Sequence, residues 1–423
     1  MYDQSYNAFT LSSRSILKKG DFRKIPKTFR DAYRKTIVDD ATKSAHSIFD
    51  GKNPIHAFHL KKKSAYKIRS LKDDLVVRKL ALNLKRLTRL RTPGRSFVIS
   101  NLRHFLEEGI PYRVYRLDVK SFYESFLIED IKAAVSALRS LTPLSKRHLT
   151  ALLDHYAAIG GKGLPRGMGI SAVLSNWLMS NFDSEMNAHP AVYFYGRYVD
   201  DITIVTNRTE DEAAFLSKIG EQLPTGLRLN EKKTSVHACD RKLTPVAPPA
   251  KSPIPRFNLS YLGYQFSVLD PVRSNKTNRS EFRLVRVEIA PEKIQKIKQR
   301  IVRSFIAFKS NRDDSLLVDR IKFLTSNFSV YDKNSGKRQL SGIFYSYPLL
   351  SEMSESLAEL DQFLKNAVLS KRGRLFSATA PLLSSTVKRR LLSLSFTHGH
   401  MTRHFMNFSP RKIHDIQECW IYE

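Results

Sequence analysis

The sequence predicts an α/β fold, and three observations carry that prediction. Apolar and polar residues alternate at the start of Val114–Phe126, and Ala191–Thr206, rich in aromatic and β-branched residues, and Leu259–Leu269 also read as strands. Segments of helical period, among them Ile128–Leu141 and His148–Gly160, stand between and around them. The 423 residues are 42% hydrophobic and 10% aromatic, enough to build two or three cores and too apolar for a disordered basic tail. Against that folded background, 71 Lys and Arg face 40 Asp and Glu, a formal charge of +31. Such a surplus speaks to partners rather than to fold. It points to a polyanion, with nucleic acid first and an anionic membrane surface second.

Taken in order, Arg14 to Lys63 is basic and polar, with Phe22, Phe29, Tyr33 and Ile37 at roughly helical spacing. KKK at 61–63 and KRLTRLRTPGR at 85–95 are dense positive runs. In the second, Arg86, Arg89, Arg91 and Arg95 lead into a Pro-Gly turn, suiting phosphate contacts or simply a solvated face. VYRLDVKSFYESF reads as a strand running into a turn, and IEDIKAAVSALRSL as a helix. HLTALLDHYAAIG is a second helix, stopped by Gly160 and Gly161. GKGLPRGMGIS is a Gly-rich loop and AVLSNWLMSNFDSEM the helix after it. AVYFYGRYVDDITIVT forms two short strands around a tight turn with an acidic pair at its tip. DEAAFLSKIGEQL is a helix, GLRLNEKKTSVH a loop and strand, and CDRKLTPVAPPAKSPIPRF a Pro-rich exposed connection. LSYLGYQFSVL reads as one strand. Beyond Glu288 the chain reads as mostly helical. PEKIQKIKQRIVRSFIAF opens on Pro291, with basic residues on one face and Ile294, Ile297, Ile301 and Phe305 on another.

Two cysteines, Cys239 and Cys419, exclude a disulfide scaffold and a cysteine-based zinc module. The start, MYDQSYNAFTLSSRS, lacks the apolar run of a secretory signal, and no stretch approaches the ~20 apolar residues of a spanning helix. The expectation is a soluble cytoplasmic protein without a membrane partner. His398, His400 and His404 invite a metal reading, but no Cys pair accompanies them and no Glu stands between them; a basic loop touching RNA phosphate suits them better.

Three carboxylates stand out by position. Asp118 closes a strand between Leu117 and Val119, and Asp200 and Asp201 are consecutive in an aromatic and β-branched stretch. Burying such a group without a cation is costly. Two divalent ions about 3.5–4 Å apart would offset that cost and would serve phosphoryl transfer. Mg²⁺ suits all-oxygen ligands and substrate phosphates. The plainer alternative is a hairpin turn, where Asp is common.

The order of these segments resembles the reverse transcriptases of bacteria, over roughly residues 60 to 305. RLDVKSFYESF, GLPRGMGISAVLSNWLM, YGRYVDD, GLRLNEKKTSV and LSYLGYQF are similar, in turn, to that family's palm motifs and primer grip. Most intron and retron enzymes carry PQG in the second motif. Here Pro165-Arg166-Gly167, followed by Ile170-Ser171, looks more like the defence-associated and abortive-infection members. The resemblance implies a right-hand polymerase within the α/β class. An N-terminal extension and fingers would span 1–110, an antiparallel-sheet palm with inserted fingers elements 111–285, and a helical thumb and nucleic-acid-binding region 286–423.

The resemblance also implies roles. Asp118, Asp200 and Asp201, with the Val119 carbonyl, would hold two Mg²⁺ ions, for which Mn²⁺ could substitute. Lys233 would protonate the leaving pyrophosphate, with Lys232 the competing choice. Tyr123 matches the gate under the sugar, with Phe122 facing the other way if the backbone there is extended. Lys67 and Arg69 stand where relatives grip the triphosphate, with Arg78 the alternative clamp. Arg166 and Gly167 would line the nucleotide pocket, Arg166 being equally suited to a salt bridge in the fold. Gly167 and Gly169 let backbone approach nucleic acid, and Asn176 would help shape the pocket. Tyr261, Leu262, Gly263 and Tyr264 would grip the primer. Lys293, Lys296 and Arg300, with Lys298 and Arg303, would track a template–primer duplex. The implied partners are an RNA template (a structured noncoding RNA), a DNA primer and product, and deoxynucleoside triphosphates. Self-association or a partner defence protein is left open. The alternatives are a retron or group II intron-type enzyme, or an RNA-binding scaffold that kept the palm and lost catalysis. The acidic residues after Gln265 read as helical or loop and offer no RNase H pattern.

Overall fold

Residues 2–60, 63–90, 93–240, 253–270, 282–331, 338–370 and 373–421 are described by the computed structural model. They fall into two units with separate cores. One comprises Met1–Val98 and Pro111–Arg241, the other Ile99–Ile110 and Lys242–Glu423. This division is drawn differently from the three segments that the resemblance implies. Residues 1–98 share a unit with the acidic motifs, and 242–285 join the helical C-terminal part.

The first unit begins with a hairpin, β1 (Ile55–Leu60) and β2 (Lys63–Ile68). Its main sheet follows from alternating aromatic and β-branched residues: β3 (Tyr112–Asp118), β4 (Val192–Tyr198), β5 (Asp201–Thr206) and β6 (Ser235–Cys239). The strands run antiparallel in the order β4-β5-β3-β6, so β3 is central and buried on both faces. Tyr112, Val114, Tyr115 and Leu117 are all buried, while Arg113 and Arg116 between them are partly exposed. Helices Leu71–Thr88, Pro143–Ala158, Gly169–Leu178 and Glu212–Gln222 add Leu75, Leu80, Leu152, Leu174 and Ile219 to the same core. Each such burial contributes about 1.5–3 kcal/mol. The helix starts are legible in the sequence. Ser70 and Asp211 accept from the backbone N–H three residues on, and Thr142 does the same ahead of Pro143 at the first helical position.

The N-terminal stretch is more tightly bound than its polar composition suggests. Lys79 is almost fully buried, and its Nζ donates to the Asp3 carbonyl at 2.7 Å and to the Tyr2 hydroxyl at 3.1 Å. Tyr33 and Ile37 lie in a helix, Arg30–His46, whereas Phe22 and Phe29 precede it in short 3-10 turns.

His148 is fully buried between the rings of Tyr6 (5.0 Å) and Phe49 (5.1 Å). Burial pushes its pKa down to about 4. An unfolded chain takes up this proton below about pH 6.5, while the folded one resists until about pH 4. Stability is therefore lost as pH falls through that window, by about 3 kcal/mol in all. His148→Phe should flatten this part of the dependence. Urea midpoints measured at pH 7, 5.5 and 4.5 check it; a variant with the wild-type slope would contradict it.

In the second unit, β7 (Ile254–Tyr261), β8 (Tyr264–Asp270) and β9 (Leu284–Ile289) form an antiparallel meander. The segment LSYLGYQFSVL is thus two strands rather than one. Tyr261 pairs with Tyr264 across Leu262 (φ 47°) and Gly263 (φ 79°), a two-residue turn with both central residues left-handed. Helices Pro291–Asn311, Asp314–Thr325 and Glu355–Leu369 bury Ile294, Ile301, Phe305, Leu317, Leu360 and Leu364 in one core. The region beyond Glu288 is not purely helical. Strands β10 (Asn327–Tyr331) and β11 (Arg338–Gly342) form a hairpin there. Two acidic residues also correct the sequence reading, because they lie on strands. Asp270 ends β8, paired with Arg256 and Arg283, and Glu288 in β9 accepts from Ser354 and Ser356. Both carboxylates are spent on internal bonds. The Pro-rich connection lies largely outside the described residues, as do Lys61, Lys62 and Arg91.

Candidate active site

The acidic residues meet because of strand register. Asp118 is the last residue of β3 and stands opposite Asp201, the first of β5. Tyr198 pairs with Asp201, which leaves Val199 and Asp200 as the turn between β4 and β5. Val199 has φ 62°, a left-handed conformation that costs a β-branched residue about 1–2 kcal/mol. The surroundings over-determine that strained turn. The Val119 N–H donates to the Asp200 carbonyl at 3.2 Å. Arg197, buried on β4, donates through Nη1 to the Val199 carbonyl at 3.1 Å and to Asn176 Oδ1 at 3.3 Å. Its Nε and Nη2 fork onto both oxygens of Asp183, at 2.7 and 2.6 Å, and the Tyr195 hydroxyl donates to the same carboxylate at 2.6 Å. Asn176 and Asp183 come from successive helices, Gly169–Leu178 and Ser180–Ala188. Two helices and a strand thus set one turn.

The fourth motif closes the other side. Leu229 bridges to Val119, and the Asn230 N–H donates to the Asp118 carbonyl at 2.7 Å. This places two donors on the Asp118 carboxylate: Asn230 Nδ2 at 2.9 Å and Lys233 Nζ at 2.9 Å. Lys233, rather than Lys232, turns its ammonium to the site. Asp118 is 6% exposed, whereas the Lys233 side chain is 58% exposed. Pairing with Asp118 raises the Lys233 pKa. Burial, reinforced by the charge of Asp200, pushes Asp201 up to about 6. Burial, with the charge of Asp118 adding, raises Asp200. Crowded carboxylates of this kind are the electrostatic condition that a cation relieves. The donors are hard oxygens only, which fits a hard divalent ion. Among the described residues no three His, Cys, Asp or Glu side chains already converge as a metal-ligand group. Both oxygens of Asp118 are occupied by the donors just named.

Tyr123 lies in a helical turn, Phe122–Ser125, not in an extended backbone, so strand alternation is not what separates it from Phe122. Phe122 is buried against Phe126 (5.3 Å), one helical turn on, while Tyr123 is half-buried. Burial, with the charge of Asp200 adding to it, raises the Tyr123 pKa. Arg166 lies over the Tyr123 ring at 5.5 Å and forks onto Glu124, with Nε–Oε1 at 2.9 Å and Nη2–Oε2 at 3.0 Å. Of the readings open for Arg166, the salt bridge is the contact present. The Tyr66 N–H of β2 donates to the Arg166 carbonyl at 2.8 Å. Gly167, at φ +94°, lets this loop approach closely: a Cβ there would lie 3.1 Å from the Tyr66 carbonyl. The close approach is to the β1–β2 hairpin, and that hairpin carries Lys67 and Arg69. Lys67 is exposed, over the Phe58 ring at 5.7 Å. Arg69 Nε donates to the Ile55 carbonyl at 2.8 Å. Arg78 is committed elsewhere, to Asp21 and Asp74.

Within the second unit, Tyr261 and Tyr264 are buried beneath the Leu262-Gly263 turn. On the helix Pro291–Asn311, Lys293 is exposed and Lys296 half-buried. Arg300 lies over the Trp420 ring at 5.3 Å. Lys298 faces the neighbouring helix, bonded to Glu359 at 2.5 Å. Sequence reasoning missed Glu124, Asp183, Arg197 and Asn230, all of which brace the acidic residues or Tyr123.

Residues 60–266 match the family described as reverse transcriptase (RNA-dependent DNA polymerase). No curated protein matches the chain. Among solved structures it is similar to an apo telomerase from Candida Tropicalis truncated from the C-terminal domain. The identity there is 14% and the TM-score 0.30, over 47% of this chain and 46% of that one. The chain thus spans less than half of that relative's length.

Proposed function

We propose that this chain, an RNA-directed DNA polymerase by its reverse transcriptase domain, adds deoxynucleotides to a DNA primer at the site built on Asp118, Asp200 and Asp201. The observation that carries this reading is the register that sets Asp118 opposite Asp201 at one end of a sheet, with Asp200 in the adjoining turn and Lys233 on Asp118. In the reaction a primer 3′-hydroxyl attacks the α-phosphate of the incoming nucleotide and pyrophosphate leaves. Asp118, Asp200, Asp201 and the Val119 carbonyl would hold two Mg²⁺ ions, with Mn²⁺ able to replace them. Bound there, such ions supply neutralisation of phosphate charge. Lys233 holds the proton that the leaving pyrophosphate can accept, help typically worth about 10²–10⁴ in rate. Lys67, Arg69, Arg166 and Gly167 surround the nucleotide. Tyr261–Tyr264 hold the primer, and Lys293, Lys296 and Arg300 meet the duplex. Functionally, 1–110 acts as N-terminal extension and fingers, 111–285 as palm and 286–423 as thumb and nucleic-acid-binding region. The Pro165-Arg166-Gly167 variant supports a role in antiphage defence with a dedicated noncoding RNA. The chain would act in the cytoplasm. Intact Asp118, Asp200, Asp201 and Lys233 favour catalysis over a silent scaffold.

Tyr123 supplies the test. A ring beneath the sugar would clash with a 2′-hydroxyl, so Tyr123→Ala should admit ribonucleotides and cut deoxy-over-ribo discrimination by about 10²-fold or more. Single-nucleotide extension with paired dNTP and rNTP titrations checks it. Discrimination equal to wild type would remove Tyr123 from this role.

A further inference from the structure

The three histidines do not share a loop: His398 and His400 lie on the helix Phe396–Met401 and His404 just after it, and the polymerase site uses none of them. From Gln362 to His414 the chain has ten Lys and Arg and no Asp or Glu, where the overall composition would place about five acids. Within this acid-free stretch, Asn327 organises residues 399–406. Asn327 is fully buried. Its Nδ2 donates to the carbonyls of Gly399 (3.0 Å) and His404 (3.1 Å), and its Oδ1 accepts from the Phe344 N–H at 2.8 Å. Its backbone pairs in parallel with Phe405. Gly399 seats this segment: a Cβ there would fall 1.7 Å from the Thr325 carbonyl.

What this fixed backbone presents is unusual for a surface. Met401 is 67% and Phe405 41% exposed, and His398, Arg403 and His404 are exposed as well. The Arg403 guanidinium lies 4.3 Å from the centre of the Phe344 ring, which also meets His400 (5.3 Å) and Tyr345 (5.3 Å). His400 is committed to the Tyr347 carbonyl at 2.8 Å. The acid next to this patch, Asp361, is spent on the Ser395 hydroxyl and the Phe396 and Thr397 N–H groups, and an aromatic ring under a guanidinium plane is the chemistry that stacks unpaired bases and meets their phosphates.

We propose that the exposed residues from the end of the helix Phe396–Met401 to Phe405, with Phe344 behind them, are a docking site for an unpaired stretch of RNA. Bases stack on the Arg403–Phe344 pair and on Phe405, and the neighbouring cations meet phosphate. Stacking and phosphate contact are common to RNA and DNA; the RNA template of the polymerase reading makes RNA the occupant. Binding is measured apart from incorporation, so failure here leaves that reading standing.

The test uses the full chain and fluorescein-labelled single-stranded RNA of about 12 nucleotides, within the usual site size. Arg403 sits at φ 51°, a conformation Asn tolerates, so Arg403→Asn removes the guanidinium with little backbone strain. It should weaken binding about tenfold or more, and Arg403→Lys, which keeps the charge but not the plane, nearly as much. A paired RNA duplex should lose little. Ultraviolet crosslinking of the wild-type chain should mark Phe344 or Phe405, which keeps the proposal testable if a variant misfolds. Unchanged affinity in both variants would overturn the site. So would full rescue by Lys, crosslinks lying wholly elsewhere, or a matched DNA strand that alone loses affinity.

Discussion

Replacing Asp200 and Asp201 together with alanine is expected to abolish nucleotide incorporation, by at least about 10³-fold, and to leave the fold intact. The first half follows from position. The two carboxylates stand at the β4–β5 turn opposite Asp118, where oxygen ligands and phosphates would converge, and losing even one preorganised charge-stabilising group commonly costs about 10²–10³ in rate. The second half follows from charge. Burial raises both groups, with the charge of Asp118 adding at Asp200 and that of Asp200 at Asp201, so removing them relieves crowding. Steady-state incorporation together with a thermal melt separates the two halves. A variant that kept activity would refute the site. A variant that lost activity only because it unfolded would show these residues to be structural.

The second large effect is expected at Arg197, which sequence reasoning passed over. Arg197→Ala should cost about 3 kcal/mol of stability, because it strands the Asp183 carboxylate and leaves the Val199 carbonyl without its donor. Arg197→Lys is the sharper probe. It keeps the charge but cannot fork onto Asp183 while also reaching the turn. A turn displaced by as little as an ångström would lower kcat by about 10²-fold. The KM for the nucleotide should change far less, because the arginine reaches the turn and not the substrate. Single-turnover incorporation and a urea titration measure both. Wild-type kcat in Arg197→Lys would show that the turn holds itself.

These residues also show where sequence stops informing. Asp118, Asp200 and Asp201 were legible because a carboxylate embedded in aromatic and β-branched residues contradicts its surroundings, and the contradiction marks a site. The helices of the first unit were legible from period and caps. Arg197 and Asp183 were not, since a pair fourteen positions apart on a strand and a helix leaves no periodic trace. Lys232 and Lys233 could not be separated because a short 3-10 turn, Glu231–Lys233, decides which one points inward. The β7–β8 turn escaped because Leu262 adopts a left-handed conformation usually reserved for Gly, Asn or Asp. Hairpin β10–β11 escaped because its alternation is short and its residues largely polar, set among strongly helical neighbours. The helical turn of Tyr123 was not visible in a stretch that begins like a strand.

Copying of RNA into DNA is the activity proposed for the carboxylate site. It is tested most directly by incubating the full chain with a DNA primer annealed to an RNA of defined mixed sequence, the four deoxynucleotides and Mg²⁺, and sequencing the product. The expected product is a DNA strand complementary to that RNA, absent when the RNA is digested beforehand. A product unrelated to the template, or no product with either Mg²⁺ or Mn²⁺, would contradict it.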